Sequence, residues 1–197
     1  MKYLKPLIAM AIAAFALLRM MSGGAIDRPP GELAPDEPVQ RSLDHARTIA
    51  VGEFTLEPKA TYEIAARVLS VERYYVGTES NLSPIDFAVG WGAMSDSDTL
   101  KHFRLSQGSR FFTIHPDEQA IDLRQAMLHA ANMHLIPANT SVRQTLLSAR
   151  TGNVAAMSGY LVYVTRSDGF YWHSSLTRED SGPGACELMY VESVTLR

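Results

Sequence analysis

The chain has 197 residues, 46% of them apolar and 20% charged, with a net charge of −3. That is the composition of a globular protein and not a disordered one, and the length fits one domain. The single cysteine, Cys186, excludes an internal disulfide and any zinc site of the CxxC kind.

The first 24 residues hold Lys2, Lys5 and Arg19 and no acid. A basic start is followed by the uncharged run Pro6–Leu18 and by the small residues Ser22-Gly23-Gly24-Ala25. This is the layout of a membrane-targeting segment. Thirteen apolar residues in a helix span about 20 Å, short of the roughly 30 Å hydrocarbon core, which suits a cleaved signal. Arg19 stands against cleavage, and with Arg19 at the interface and Met20 and Met21 included the segment serves as an anchor. The preferred reading is an uncleaved hydrophobic helix in the inner membrane with the body in the periplasm; the alternative is a soluble periplasmic protein after cleavage. Without Lys2, Lys5 and Arg19 the chain carries 15 basic against 21 acidic side chains. Nucleic-acid binding needs a basic face, so nucleic acid is not an expected partner.

Residues 25–46 hold Pro29, Pro30, Pro35 and Pro38 with interleaved acids and read as a semi-rigid linker. The globular domain is set at 47–197. Residues 60–75 alternate as a strand, and the apolar phase switches from Tyr62, Ile64, Ala66 and Val68 to Leu69 and Val71, which predicts a β-bulge. Asn81–Gly92 reads as a helical turn capped by Ser83 with Pro84 at its first position. A short helix follows Ser95, with Leu100 and Phe103 inward. Arg110–His115 is a strand stopped by Pro116, and Asp117 caps a brief helix through Ala126. Leu128–Ile136 is a strand stopped by Pro137. The clearest helix is 140–150, capped by Asn139 or Thr140 and ended by Gly152. Val154–Thr165 is a central strand, Arg166–Gly169 a hairpin turn, Phe170–Thr177 the returning strand, Ser181–Gly184 a turn and Cys186–Leu196 the last strand. The expected fold is α+β, mainly β: a small, partly open barrel of the OB type with a few short helices.

Three segments carry a resemblance. They are Val89-Gly90-Trp91-Gly92-Ala93-Met94-Ser95-Asp96, Ala131-Asn132-Met133-His134-Leu135-Ile136-Pro137-Ala138, and Ser174–Asp180 continuing to Gly184-Ala185-Cys186-Glu187. Together they resemble a group of uncharacterised bacterial envelope proteins with an N-terminal anchor, over most of residues 45–197. The resemblance implies no activity and transfers no functional residue.

His129 and His134 lie five apart, on opposite faces of a strand, so neither a metal nor another cofactor is expected. Asn132 and His134 share a strand face, where they either form a binding point or satisfy backbone groups near Pro137. His173, Ser175 and Thr177 would alternate on one face, with Arg178 and Asp180 beyond. That set offers a nucleophile and a base, but no GxSxG elbow is present, and an Arg178–Asp180 pair across a turn explains it equally. Cys186 needs a nearby cation to become reactive, and Arg178 is the candidate; otherwise it is a small buried hydrophobe. Trp91 between two glycines is either a binding platform or a core plug. Trp172 joins the binding candidates.

The expectation is a non-catalytic, membrane-tethered envelope domain that binds a protein or envelope component. The alternative is a hydrolase-type enzyme drawing on His134, Ser175, Arg178, Asp180 and Cys186, which requires those side chains to converge in one concave pocket.

Overall fold

A computed structural model describes residues 24–197. The proposed signal or anchor helix therefore lies outside the described residues, and among the described residues no helix is long and apolar enough to cross a membrane. The chain is mainly β. Its strands are β1 (Val39–Ser42), β2 (Ile49–Val51), β3 (Phe54–Arg73), β4 (Ile85–Gly90), β5 (Phe103–Gly108), β6 (Phe111–Pro116), β7 (Ala130–Pro137), β8 (Val154–Arg166), β9 (Tyr171–His173) and β10 (Glu187–Leu196). The α-helices are α1 (Thr78–Leu82), α2 (Ser97–Leu100), α3 (Leu123–Leu128) and α4 (Thr140–Ser148).

The main sheet runs β1-β3-β4-β7-β10-β8-β9, and β3 also pairs with β8. That extra pairing returns the sheet to its start, so β3, β4, β7, β10 and β8 form a ring. All its pairings are antiparallel except β7 with β10. Alternation explains the ring's interior: Tyr62, Ile64, Phe87, Val89, Met133, Leu135, Met189 and Val191 point into one core. A register shift between Val68 and Ser70 places a bulge at the predicted change of phase. A second shift, between Pro58 and Ala60, turns the first part of β3 so that Phe54 and Leu56 join a separate apolar layer with Leu82, Val162, Val164 and Leu188. One strand of twenty residues thereby serves both layers.

The structure differs from the expectation in several places. Ile85–Gly90 is a strand and not a helical turn, because Ile85, Phe87 and Val89 alternate inward and the segment pairs on both edges. The helix falls earlier, at Thr78–Leu82. Phe103 opens β5 instead of closing a helix. Asp122, not Asp117, caps α3 through its bond from the Arg124 amide. The returning strand stops at His173, so His173, Ser175 and Thr177 do not alternate on one face. Helix α4 starts where predicted, the Asn139 side chain accepting from the Val142 amide at 3.0 Å.

The proline-rich stretch is extended, as its prolines require, and it lies along the body. The Ile26 amide bonds to Thr151 O at 2.8 Å, and Arg28 Nε donates to Gly152 O at 2.8 Å. The buried Ser95 hydroxyl accepts from the amides of Leu33 and Ala34, each at 3.1 Å. Val39–Ser42 then pairs with β3 as β1.

Candidate functional site

Two polar groups meet at the end of the ring where β10 begins. The first lies on the outer face of β4 and β7. Ile85 and Phe87 point inward, so Asp86 between them points out, and its partner across the ladder is His134. Asp86 is wholly buried, because the β5–β6 hairpin folds over it. The Arg110 Nη1 donates to Asp86 Oδ1, and Nη2 donates to Ser83 O at 2.8 Å. Arg110 sits at the hairpin turn with φ 68°, after Ser109 at φ 51°. Its guanidinium stacks 3.6 Å from the Tyr74 ring centre, and its amide donates to the Tyr74 hydroxyl at 2.9 Å. Burial and the Asp86 charge push the Tyr74 hydroxyl up to about 12.

His134 Nδ1 lies 2.9 Å from Asp86 Oδ2, an ion-pair contact whose alignment falls outside hydrogen-bond geometry. The Trp172 ring covers the imidazole at 4.9 Å between centres. Burial pushes the His134 pKa down, but the close polar contacts of Asp86 and Cys186 outweigh it and raise it to about 9. His134 is therefore an imidazolium at neutral pH, flanked by a carboxylate and a thiol. Asn132, on the same face, fixes the thiol: Nδ2 donates to Arg110 O at 3.0 Å and reaches Cys186 Sγ at 3.5 Å, while Oδ1 accepts from Gln107 Nε2 at 2.9 Å. Asn132 and His134 thus tie the sheet to the hairpin, the loop and the thiol, and do not satisfy backbone near Pro137.

The second group lies inside the mouth of the ring. Glu187 has the same parity as Met189 and Val191, so it points inward. Burial raises its carboxyl to about 7, against the lowering effect of its own backbone amide and of Arg178. Arg178 caps the mouth, with Nη2 donating to the Tyr62 hydroxyl at 3.0 Å and the guanidinium 5.0 Å from the Trp91 ring centre. Burial also raises the Tyr62 hydroxyl. Trp91 is a core residue, 1% exposed. Its glycines serve close packing: a Cβ on Gly90 would stand 2.3 Å from Met94 O, and Gly92 has φ +50° with the His129 ring beside it.

The candidates of the sequence therefore separate. His134, Asn132, Trp172 and Cys186 converge. Arg178 and Trp91 belong to the inner group. Arg178 bonds Tyr62 and not Asp180, and the cation beside Cys186 is His134. Ser175 is buried, donates to Asp180 Oδ2 at 2.7 Å and accepts from the Thr177 amide at 3.2 Å, bonds that shape the loop. Sequence reasoning missed Asp86, Arg110 and Glu187. Asp86 within Ile-Asp-Phe-Ala-Val and Glu187 within Ala-Cys-Glu-Leu-Met were the signals, since an acid inside an apolar run rarely lacks a partner.

Beside these groups lies an apolar groove of ≈ 240 Å³, bounded by β6, α3, β7 and the 180–186 turn. Phe111, Leu123 and Met127 line it and stay 53%, 39% and 42% exposed. Cys186 and Asn132 form part of its wall. Among the described residues no group of three or more His, Cys, Asp and Glu side chains is arranged to hold a metal ion. Comparison with known proteins finds no matching family model, no matching curated protein and no matching solved structure.

Proposed function

We propose that this chain is a membrane-tethered domain of a bacterial envelope that binds an apolar group of a partner or envelope component in the groove beside Cys186. The groove carries the reading. Large apolar side chains seldom gather at a surface concavity unless something covers them. The ring supports it as an OB-type barrel: five strands, with α4 between the third and fourth. Barrels of that type take ligands on the face of their second and third strands and on the loop between the fourth and fifth. Here those elements are β4, β7 and residues 167–186, and of these β7 and the 180–186 turn line the groove.

The test is titration with the uncharged apolar fluorophore N-phenyl-1-naphthylamine. Saturable binding at one site, abolished by Phe111→Asp or Met127→Lys with the melting temperature kept, supports the proposal. Binding that survives both substitutions contradicts it. The tether is tested by a C-terminal alkaline phosphatase fusion. Activity in the membrane pool supports it, activity in the soluble pool means a cleaved signal, and no activity refutes export.

A second reading, thiol-dependent acyl transfer, is favoured by one observation: Asp86, His134 and Cys186 follow one another with the thiol on the groove. An imidazolium beside a thiol favours the nucleophilic thiolate. Alkylation by iodoacetamide should then slow at least about tenfold in His134→Gln, and an unchanged rate would exclude it.

A further inference from the structure

The mouth of the ring holds a second, smaller cavity of ≈ 40 Å³. Its lining includes Trp91, Thr177, Arg178 and Glu187, and Met127, Ala130, Asp180 and Ala185 line both it and the apolar groove. Three residues that line it each carry a buried polar atom with no hydrogen-bond partner among the described residues: Trp91 Nε1, Arg178 Nη1 and Glu187 Oε2. Trp91 and Glu187 are only 1% and 6% exposed. Buried donors and acceptors are nearly always satisfied, so three unmet atoms on one cavity define what belongs there.

Their chemistry is specific. The indole N–H and the guanidinium N–H are donors and call for one acceptor. In its ionised form, which prevails above about pH 7, the Glu187 carboxyl calls for a donor. A carboxylate ligand would meet Arg178 but also Glu187 and Asp180, and an ammonium would meet Arg178 head on. A neutral group with one acceptor and one donor fits all three. A volume of ≈ 40 Å³ holds roughly three water-sized groups, more than a lone hydroxyl fills. We propose that the cavity is a subsite for a planar amide whose carbonyl accepts from Trp91 and Arg178 and whose N–H donates to Glu187. The apolar substituent of that amide lies in the adjoining groove, so the inference rests on the groove reading above and names the polar end of its ligand. Both a peptide amide and the acetamido group of an amino sugar have this chemistry.

The experiment uses the whole chain and the isosteric pair N-benzylacetamide and benzyl acetate, the second lacking the N–H. The readout is the Trp91 indole N–H resonance, assigned with Trp172→Phe. The amide should move that signal saturably, with the ester binding at least about tenfold more weakly, because a site built for an N–H rejects the analogue without it. Arg178→Met should weaken the amide about tenfold and leave N-phenyl-1-naphthylamine binding unchanged. If Arg178→Met does not fold, the amide–ester comparison on the native chain decides alone. N-acetylglucosamine and N-acetyl-leucine amide then compete with N-benzylacetamide: displacement by either supports the assignment and names the source, and displacement by neither overturns it. Equal affinity for amide and ester also overturns it, as does an indole N–H that contacts only water at saturating probe. Loss of naphthylamine binding in the native chain would mean that the groove reading has failed. Naphthylamine binding with no preference for the amide would refute this inference alone.

Discussion

Raising the pH should weaken the fold through His134. The group's folded pKa is about 9 against an ordinary 6.5. A raised pKa means that the folded state binds the proton more tightly, so the stabilisation is complete below about 6.5 and is lost as pH rises through about 9. The gap is about 2.5 units, and at 1.36 kcal/mol per unit it amounts to about 3 kcal/mol. The side chain is only 5% exposed, so solvent screening removes little of this. The groups facing the imidazole are Asp86, Cys186 and, through Asp86, Arg110. Urea unfolding followed by tryptophan fluorescence, repeated at intervals across this window, gives the stability curve. The native chain should lose about 3 kcal/mol across it, and His134→Gln should remove that loss, leaving only the smaller slope that Glu187 contributes near about pH 7. A native curve that stays level, or a variant with the native slope, would refute the reasoning.

Glu187 produces a separate window. Its carboxyl is raised from 4.5 to about 7, so its stabilisation is present below about 4.5 and fades as pH rises through about 7; Glu187→Gln should remove that slope in the same measurement. Asp86→Asn leaves the Arg110 and His134 charges without their carboxylate and should cost about 3–5 kcal/mol. It should also lower the His134 pKa, followed by the imidazole proton shifts, and a value still near 9 would show that Asp86 is not the cause. Gly159→Ala should prevent folding, because its Cβ would stand 1.9 Å from Tyr190 O, and a soluble variant with a native circular dichroism spectrum would contradict the packing described. Asn139→Ala should cost about 1 kcal/mol through loss of the α4 cap, measured by urea unfolding.

Local signals were legible in the sequence where one element determines its own conformation. Asn139 capped α4, Pro116 and Pro137 stopped β6 and β7, and the phase change at Leu69 marked the bulge. Elements determined by distant partners were harder to read. Ser83 and Pro84 mimic a helix start, so β4 reads as helix in sequence, whereas its state is set by pairing with β3 and β7. The proline-rich stretch was read as a linker because prolines forbid helix, yet its bonds to Ser95 and Gly152 depend on residues far along the chain. In the site, the sequence points to His134 and Cys186, but it suggests Arg178 as the cation beside the thiol, where His134 stands, and does not pair His134 with Asp86. Asp86 faces His134 through the register of β4 on β7, and Arg110 reaches Asp86 only because the β5–β6 hairpin folds over that face; no spacing in the sequence encodes either pairing.

The central claim is that the groove beside Cys186 is the binding face. Titration of the native chain with N-phenyl-1-naphthylamine, beside Phe111→Asp and Met127→Lys, tests it most directly. One saturable site is expected in the native chain and none in either variant at unchanged melting temperature. Equal binding by all three proteins would contradict it.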